Sequence, residues 1–187
     1  MIKFIATSKV RKCGDCQLCC KLLPVGEIGK PANTRCEHQA HGKGCRVYGT
    51  DTMPMSCKLW SCAWLTGHDT GARPDRAHYV VDVLPDYISI QNDETGERID
   101  VPVIQVWVDP KHPDAHRDPA LRAFLAERGE HGVAAIIRYS SQDAFTLFPP
   151  AMASDGEWHE ERSRSKPERQ HTAREIRAAL AGKFKAG

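Results

Sequence analysis

All eight cysteines of this chain lie between positions 13 and 62: Cys13, Cys16, Cys19, Cys20, Cys36, Cys45, Cys57 and Cys62. Ala63 to Gly187 contains none. The spacing, C-x2-C-x2-C-C-x15-C-x8-C-x11-C-x4-C, is denser in sulfur than packing alone requires, so the thiols must be oxidised in pairs, bound to metal or left free. Met1 to Val10 has a short apolar patch at Ile2, Phe4, Ile5 and Ala6, interrupted by Lys3, and lacks the apolar stretch of a signal peptide. A cytoplasmic chain is therefore expected, in which reduced thiols at ligand spacing hold metal rather than form disulfides.

A C-x2-C step lets two thiolates converge on one soft ion from a tight turn. Cys13, Cys16 and Cys19 make two such steps in succession, and Cys20 breaks the series. Neighbouring side chains leave the backbone in different directions, so Cys19 and Cys20 are expected to serve different sites, or one of them to be no ligand. Two four-cysteine sites use every sulfur. From Met1 to Cys62 ten Lys and Arg stand against four Asp and Glu. That excess suits a metal held by four thiolates, which carries net negative charge. The same excess would also suit a nucleic-acid patch.

Three common metal patterns fail. A bacterial ferredoxin run needs three residues between its third and fourth cysteines, and here Cys20 follows Cys19 at once. A C-x3-C-x2-C radical loop finds its first spacing at Cys16 and Cys20 but meets Leu23 at the third position. A zinc ribbon needs a second C-x2-C pair, and Cys57 and Cys62 are too far apart.

The pattern resembles the YkgJ-like cysteine-cluster family, described as a zinc- or iron-chelating domain with a C-x2-C-x2-C-C signature. Four segments carry the resemblance: Cys13 to Cys20, Lys30-Pro31-Ala32-Asn33 before Cys36, Gly44-Cys45-Arg46-Val47-Tyr48, and Pro54 before Cys57. They span about a third of the chain. Met53 stands where relatives carry arginine. The resemblance implies a metal-chelating domain and names neither the metal nor the task.

The fold class expected is α+β, with an irregular cysteine-rich metal-binding module over 1–70 and a small mixed sheet-and-helix module over 71–187, the two forming either separate units or one cooperative unit. Thr66 to Pro74 reads as a turn-rich connector. Before it, Pro24, Gly26, Gly29 and Pro31 leave little regular structure, and Ser61 to Leu65 is expected to form a helical turn with Trp60 and Trp64 on one face as a lid over the metal. After it, Tyr79–Leu84, Tyr87–Ile90, Ile99–Val108, Val133–Tyr139 and Ala144–Phe148 read as strands. Pro102 is expected to place the start of its strand at an edge. Asp118 and Pro119 open a helix with an apolar stripe at Leu121, Phe124 and Leu125, ending at Gly129 or Gly132. Thr172 and Glu175 make a capping box for a last helix bearing Ile176, Leu180 and Phe184.

His38 and His41 are candidates to replace a sulfur, since imidazole binds zinc and iron. Asp109, His112, Asp114, His116 and Asp118 form a second polar cluster on a proline-rich loop. From Arg162 onward eight Lys and Arg face Glu168 and Glu175, a basic end that more often is a solvated helix face than a nucleic-acid contact. No apolar run spans a bilayer, and net charge is only +2. The expected function is therefore a protein chelating zinc or iron, the iron as ions or as an iron-sulfur cluster. The alternatives are an iron-sulfur redox protein or enzyme, and a zinc-structured module that binds protein or nucleic acid.

Overall fold

Alternation along four strands determines what each face of the central sheet can meet. The computed structural model describes residues 11–91 and 96–162. Its elements in order are α1 (Leu18–Leu22), β1 (Gln39–Ala40), β2 (Gly44–Cys45), α2 (Met55–Leu59), α3 (Pro74–Ala77), β3 (Tyr79–Gln91), β4 (Arg98–Val108), α4 (Pro119–Gly129), β5 (Ala134–Arg138), β6 (Ala144–Phe148) and β7 (His159–Glu161), with three short 3-10 turns between them. The fold is mixed α+β. β1 and β2 form a small antiparallel pair, and the other five strands form one sheet in the order β3-β4-β5-β6-β7. The pairings are antiparallel except β4 with β5, which run parallel. A parallel pair needs a crossover, and α4 supplies it.

One face of the sheet carries Tyr79, Val81, Ile104, Val106, Ala135, Ile137, Phe145 and Leu147, and Leu121, Phe124 and Leu125 of α4 close over it. Asp118 caps that helix, its Oδ1 accepting from the backbone N–H of Ala120 at 2.9 Å and of Leu121 at 3.2 Å, and Gly129 ends it. The opposite face carries Val80 and Trp107, which meet Leu18 and Leu22 of α1. The cysteine-rich region thus packs against the side of the sheet that α4 leaves open.

Several expectations change. Tyr79–Leu84 and Tyr87–Ile90 belong to a single strand, β3, whose register shifts between Asp82 and Asp86 around Pro85, which has no N–H for the ladder. Pro102 pairs only with Tyr87, and β5 begins pairing at Val103, so the proline lies where β4 is still an edge. Ser61 to Leu65 is not helical: the helix is α2, ending at Leu59, and Ala63 to Gly67 are turns. A single helical turn closes one residue later, from the Thr66 N–H to the Cys62 carbonyl at 3.3 Å, and the Ala63 N–H, which has no partner inside such a turn, donates to the carbonyl of Val81 at 2.9 Å while its side chain joins the α4-side core. β7 was not expected from its polar sequence. The capping box at Thr172 and the basic end beyond Arg162 lie outside the described residues.

Contacts cross the expected boundary at residues 70 and 71. Lys21 Nζ meets Asp109 Oδ2 at 2.5 Å, and Asn33 Nδ2 donates to the Tyr139 carbonyl at 2.6 Å. Among the described residues no helix is long and apolar enough to cross a membrane.

Candidate metal centre

The cysteines ride on short pieces of backbone pinned to one another. Cys13 and Cys16 sit on a tight turn in which the Cys16 N–H donates to the Cys13 carbonyl at 3.2 Å. Cys19 and Cys20 are on α1, where Leu18 and Leu22 anchor one face to the sheet. Successive helical residues point about 100° apart, so the two cysteines fan away from that anchor on different bearings. Cys36 is tied back to α1 by its N–H, which donates to the Cys20 carbonyl at 3.2 Å. Cys45 ends β2, and Gln17 holds that hairpin by donating to the carbonyls of Ala40 and Gly44. Gly44 has φ of +91°, and a Cβ there would lie 2.7 Å from the Gly14 carbonyl oxygen. Only glycine lets the Cys45 hairpin come this close to the Cys13–Cys16 turn. Cys57 lies on α2, and Cys62 comes just before the turn that enters the core.

All eight cysteines line one cavity of about 860 Å³. Its floor is the open side of the sheet at Asp82, Gln105 and Trp107, and Arg11, Lys12 and Lys43 stand among its walls. Trp60 also lines it, while Trp64 lies beside a smaller void next to Cys13, Cys16, Cys19 and Cys62. His38 borders the cavity and is half-buried, so of the two histidine candidates it is the one near the sulfurs; His41 is exposed and is not part of the lining.

Burial pushes the thiols of Cys16, Cys45, Cys57 and Cys62 up. Cys20 moves the other way. The Cys19 thiol donates to the Cys20 sulfur, which raises Cys19 and brings Cys20 down to about 7, with the ammonium of Lys30 adding to the fall. The charged surroundings of the two sulfurs differ: the charges of Cys13 and Cys62 act on Cys19, and that of Lys30 acts on Cys20.

An all-sulfur donor set of this size fits zinc or iron and is unsuited to hard cations. Four sulfurs around one divalent ion sit roughly 3.8 Å apart, from a metal-sulfur length of about 2.3 Å. Among the described residues no three cysteine sulfurs come within 4.8 Å of one another. A single ion must therefore draw the thiols inward. A polynuclear iron-sulfur core, in which each sulfur binds a different iron, accepts a wider spacing.

A second group does meet that criterion: His78, Asp109 and His112, with ligand atoms within 4.8 Å of one another. Sequence reasoning found Asp109 and His112 but missed His78, which lies far from them in the chain and adopts φ of +63°. The two rings are stacked, centroids 3.6 Å apart and 9° from parallel, and both Asp109 oxygens are engaged, by Lys21 and by the Lys111 N–H. Face-to-face rings cannot both aim an in-plane nitrogen at one ion, so this trio would have to unstack to bind metal. The rest of the expected polar cluster separates: Asp114 is exposed, buried His116 bonds the Pro113 carbonyl through Nδ1 at 2.7 Å, and Asp118 is the cap of α4.

Comparison with known proteins finds no matching family model, no matching curated protein and no matching solved structure.

Proposed function

We propose that this chain is a YkgJ-like cysteine-cluster protein that chelates zinc or iron in the cytoplasm, with residues 1–70 as the metal-binding module and 71–187 as its α+β scaffold. One observation carries the reading: cysteines from six separate stretches of backbone all line a single cavity. Eight buried or half-buried thiols without metal would be a costly arrangement for segments this short, because burial opposes the thiolate and the backbone has little regular structure to support it. Bound metal resolves both problems at once, since thiolate ligation supplies binding energy that doubles as folding energy. Cys13, Cys16, Cys19, Cys20, Cys36, Cys45, Cys57 and Cys62 are the proposed ligands.

A second reading, an iron-sulfur redox protein, is favoured by the sulfur spacing, which exceeds what a single ion needs. The third, a zinc-structured binding module, has the basic residues in the cavity wall, Arg11, Lys12 and Lys43, in its support. Anaerobic purification with metal analysis and an absorption spectrum tests all three. Zinc without colour supports chelation or a structural module, and a broad visible absorption with iron and sulfide supports the cluster. Metal-free protein bearing a full set of disulfides after cytosolic expression would overturn the proposal.

A further inference from the structure

Lys30 is an unusual residue to find 6% exposed. Its Nζ donates to the carbonyls of Lys21, Leu23 and Pro31, which uses all three of its protons, and no carboxylate lies within ion-pair distance of it among the described residues. Three carbonyls solvate an ammonium but do not neutralise it. A buried charge needs a counter-charge. The groups in its electrostatic reach that can carry negative charge are cysteines: Cys36, Cys20, Cys19 and Cys57.

The sulfurs themselves fall into two neighbourhoods. Cys13, Cys16, Cys19 and Cys62 pack with the apolar cluster of Leu18, Leu22, Val80 and Trp107, and the same four surround a void of about 10 Å³ walled by Leu65, Pro74, Val80 and Trp64. A space of that size holds one small particle. Cys20, Cys36, Cys45 and Cys57 belong to neither the cluster nor the void. They line the larger cavity outside that void, where the Cys36 N–H donates to the Cys20 carbonyl at 3.2 Å, and their charges act on one another, Cys20 and Cys36 on Cys45 and all three on Cys57.

Resting on the metal-binding reading above, we propose two non-equivalent four-thiolate centres. Cys13, Cys16, Cys19 and Cys62 form an apolar centre against the sheet. Cys20, Cys36, Cys45 and Cys57 form a second, whose counter-charge is the buried ammonium of Lys30. The chain visits the first centre, crosses at the Cys19–Cys20 peptide into the second, and returns at Cys62. A divalent ion with four thiolates carries two net negative charges, which the carboxylate-free ammonium of Lys30 offsets at the second centre, whereas the cation near Cys16, Arg73, is already paired with Asp15 and Asp75.

The test uses full-length protein, stripped of metal and titrated anaerobically with Co2+, read by sulfur-to-cobalt absorption. The wild type should take up two ions. Cys19→Ala and Cys20→Ala should each keep one, with different spectra, and Cys62→Ala and Cys57→Ala should reproduce those two residual spectra in that order, which guards against one variant failing through misfolding. Lys30→Met should weaken Co2+ binding by about 10- to 100-fold in the Cys19→Ala background and leave it unchanged in the Cys20→Ala background. Identical residual spectra for Cys19→Ala and Cys20→Ala would overturn the division. Equal weakening by Lys30→Met in both backgrounds would reduce Lys30 to a support for the end of α1 and overturn its role as counter-charge. A wild type that binds no Co2+ counts against the metal-binding reading itself, a failure distinct from either of these.

Discussion

The two sides of the sheet are covered by different means. On one side α4 lays Leu121, Phe124 and Leu125 over eight inward side chains from four strands, a core that excludes water by apolar area alone. On the other, the cysteine-rich region offers two five-residue helices and two two-residue strands, and its apolar contact with the sheet is confined to a few residues around Leu22 and Trp107. The first side is an ordinary hydrophobic core. The second has too little buried apolar surface to order fifty residues of backbone, and its order must come from polar pins such as Gln17 and Asn33 and from whatever the thiols hold. The lesson is that sulfur density and regular structure trade against each other along this chain.

If the proposed metal is bound, the largest effect should come from removing it. Structural zinc contributes on the order of 10 kcal/mol in small domains, so hydrogen exchange after chelation should accelerate strongly across 13–62 and little across 79–148. Equal acceleration in both would show a single cooperative unit and erase the contrast. Next in size, Leu147→Ala, which truncates a fully buried side chain of the α4-side core, should cost about 3 kcal/mol in denaturant unfolding while leaving metal content unchanged. A loss of metal in that variant would mean the sheet's α4 side also sets the cysteine geometry.

The link between the regions should show at Lys21→Met. Asp109 is buried, which alone would raise its carboxyl, yet the hydrogen bonds from Lys21 and the Lys111 N–H and the charge of Lys21 hold it below the usual range. A depressed carboxylate contributes stability above its ordinary pKa, and loses it as pH falls through the lower folded value. Because Lys21 is about a third exposed, the pair should be worth about 2 kcal/mol near neutrality, less than a fully buried one. The gap between wild type and variant should therefore shrink as the pH is lowered from 6 to 3. A gap that is constant with pH would place the cost in packing rather than charge. The smallest effect belongs to Asp118→Ala, about 1 kcal/mol from the lost cap of α4, with no change in metal affinity. Altered metal binding there would contradict the separation of the two faces.

Much of the scaffold was legible because its determinants are local. Asp118-Pro119 announces a helix start by side-chain chemistry, and Ala144–Phe148 alternates on the two-residue period of a strand. The helical turn expected at Ser61 to Leu65 closes one residue later, at Cys62 to Thr66, where the Ala63 N–H also reaches the Val81 carbonyl, a long-range bond that local spacing does not record. β7 was invisible since its three residues are polar and exposed, and only pairing with β6 makes them a strand.

For the candidate site, the sequence alone supplied the eight sulfurs and the kind of ion they would suit, because thiolate softness is a property of the side chain wherever it sits. It also determined that Cys19 and Cys20 leave the backbone on different bearings, which follows from covalent geometry. What only the tertiary structure decided is company: that the cysteines converge on the face of the sheet opposite α4, that Cys62 joins the first turn while Cys36, Cys45 and Cys57 line the larger cavity with Cys20, and that Lys30, one of ten basic residues between Met1 and Cys62, is buried near Cys20 and Cys36. Distances through space between residues tens of positions apart depend on how α1 seats on Val80 and Trp107 and how Gly44 lets the hairpin approach Gly14, and no local pattern records either contact.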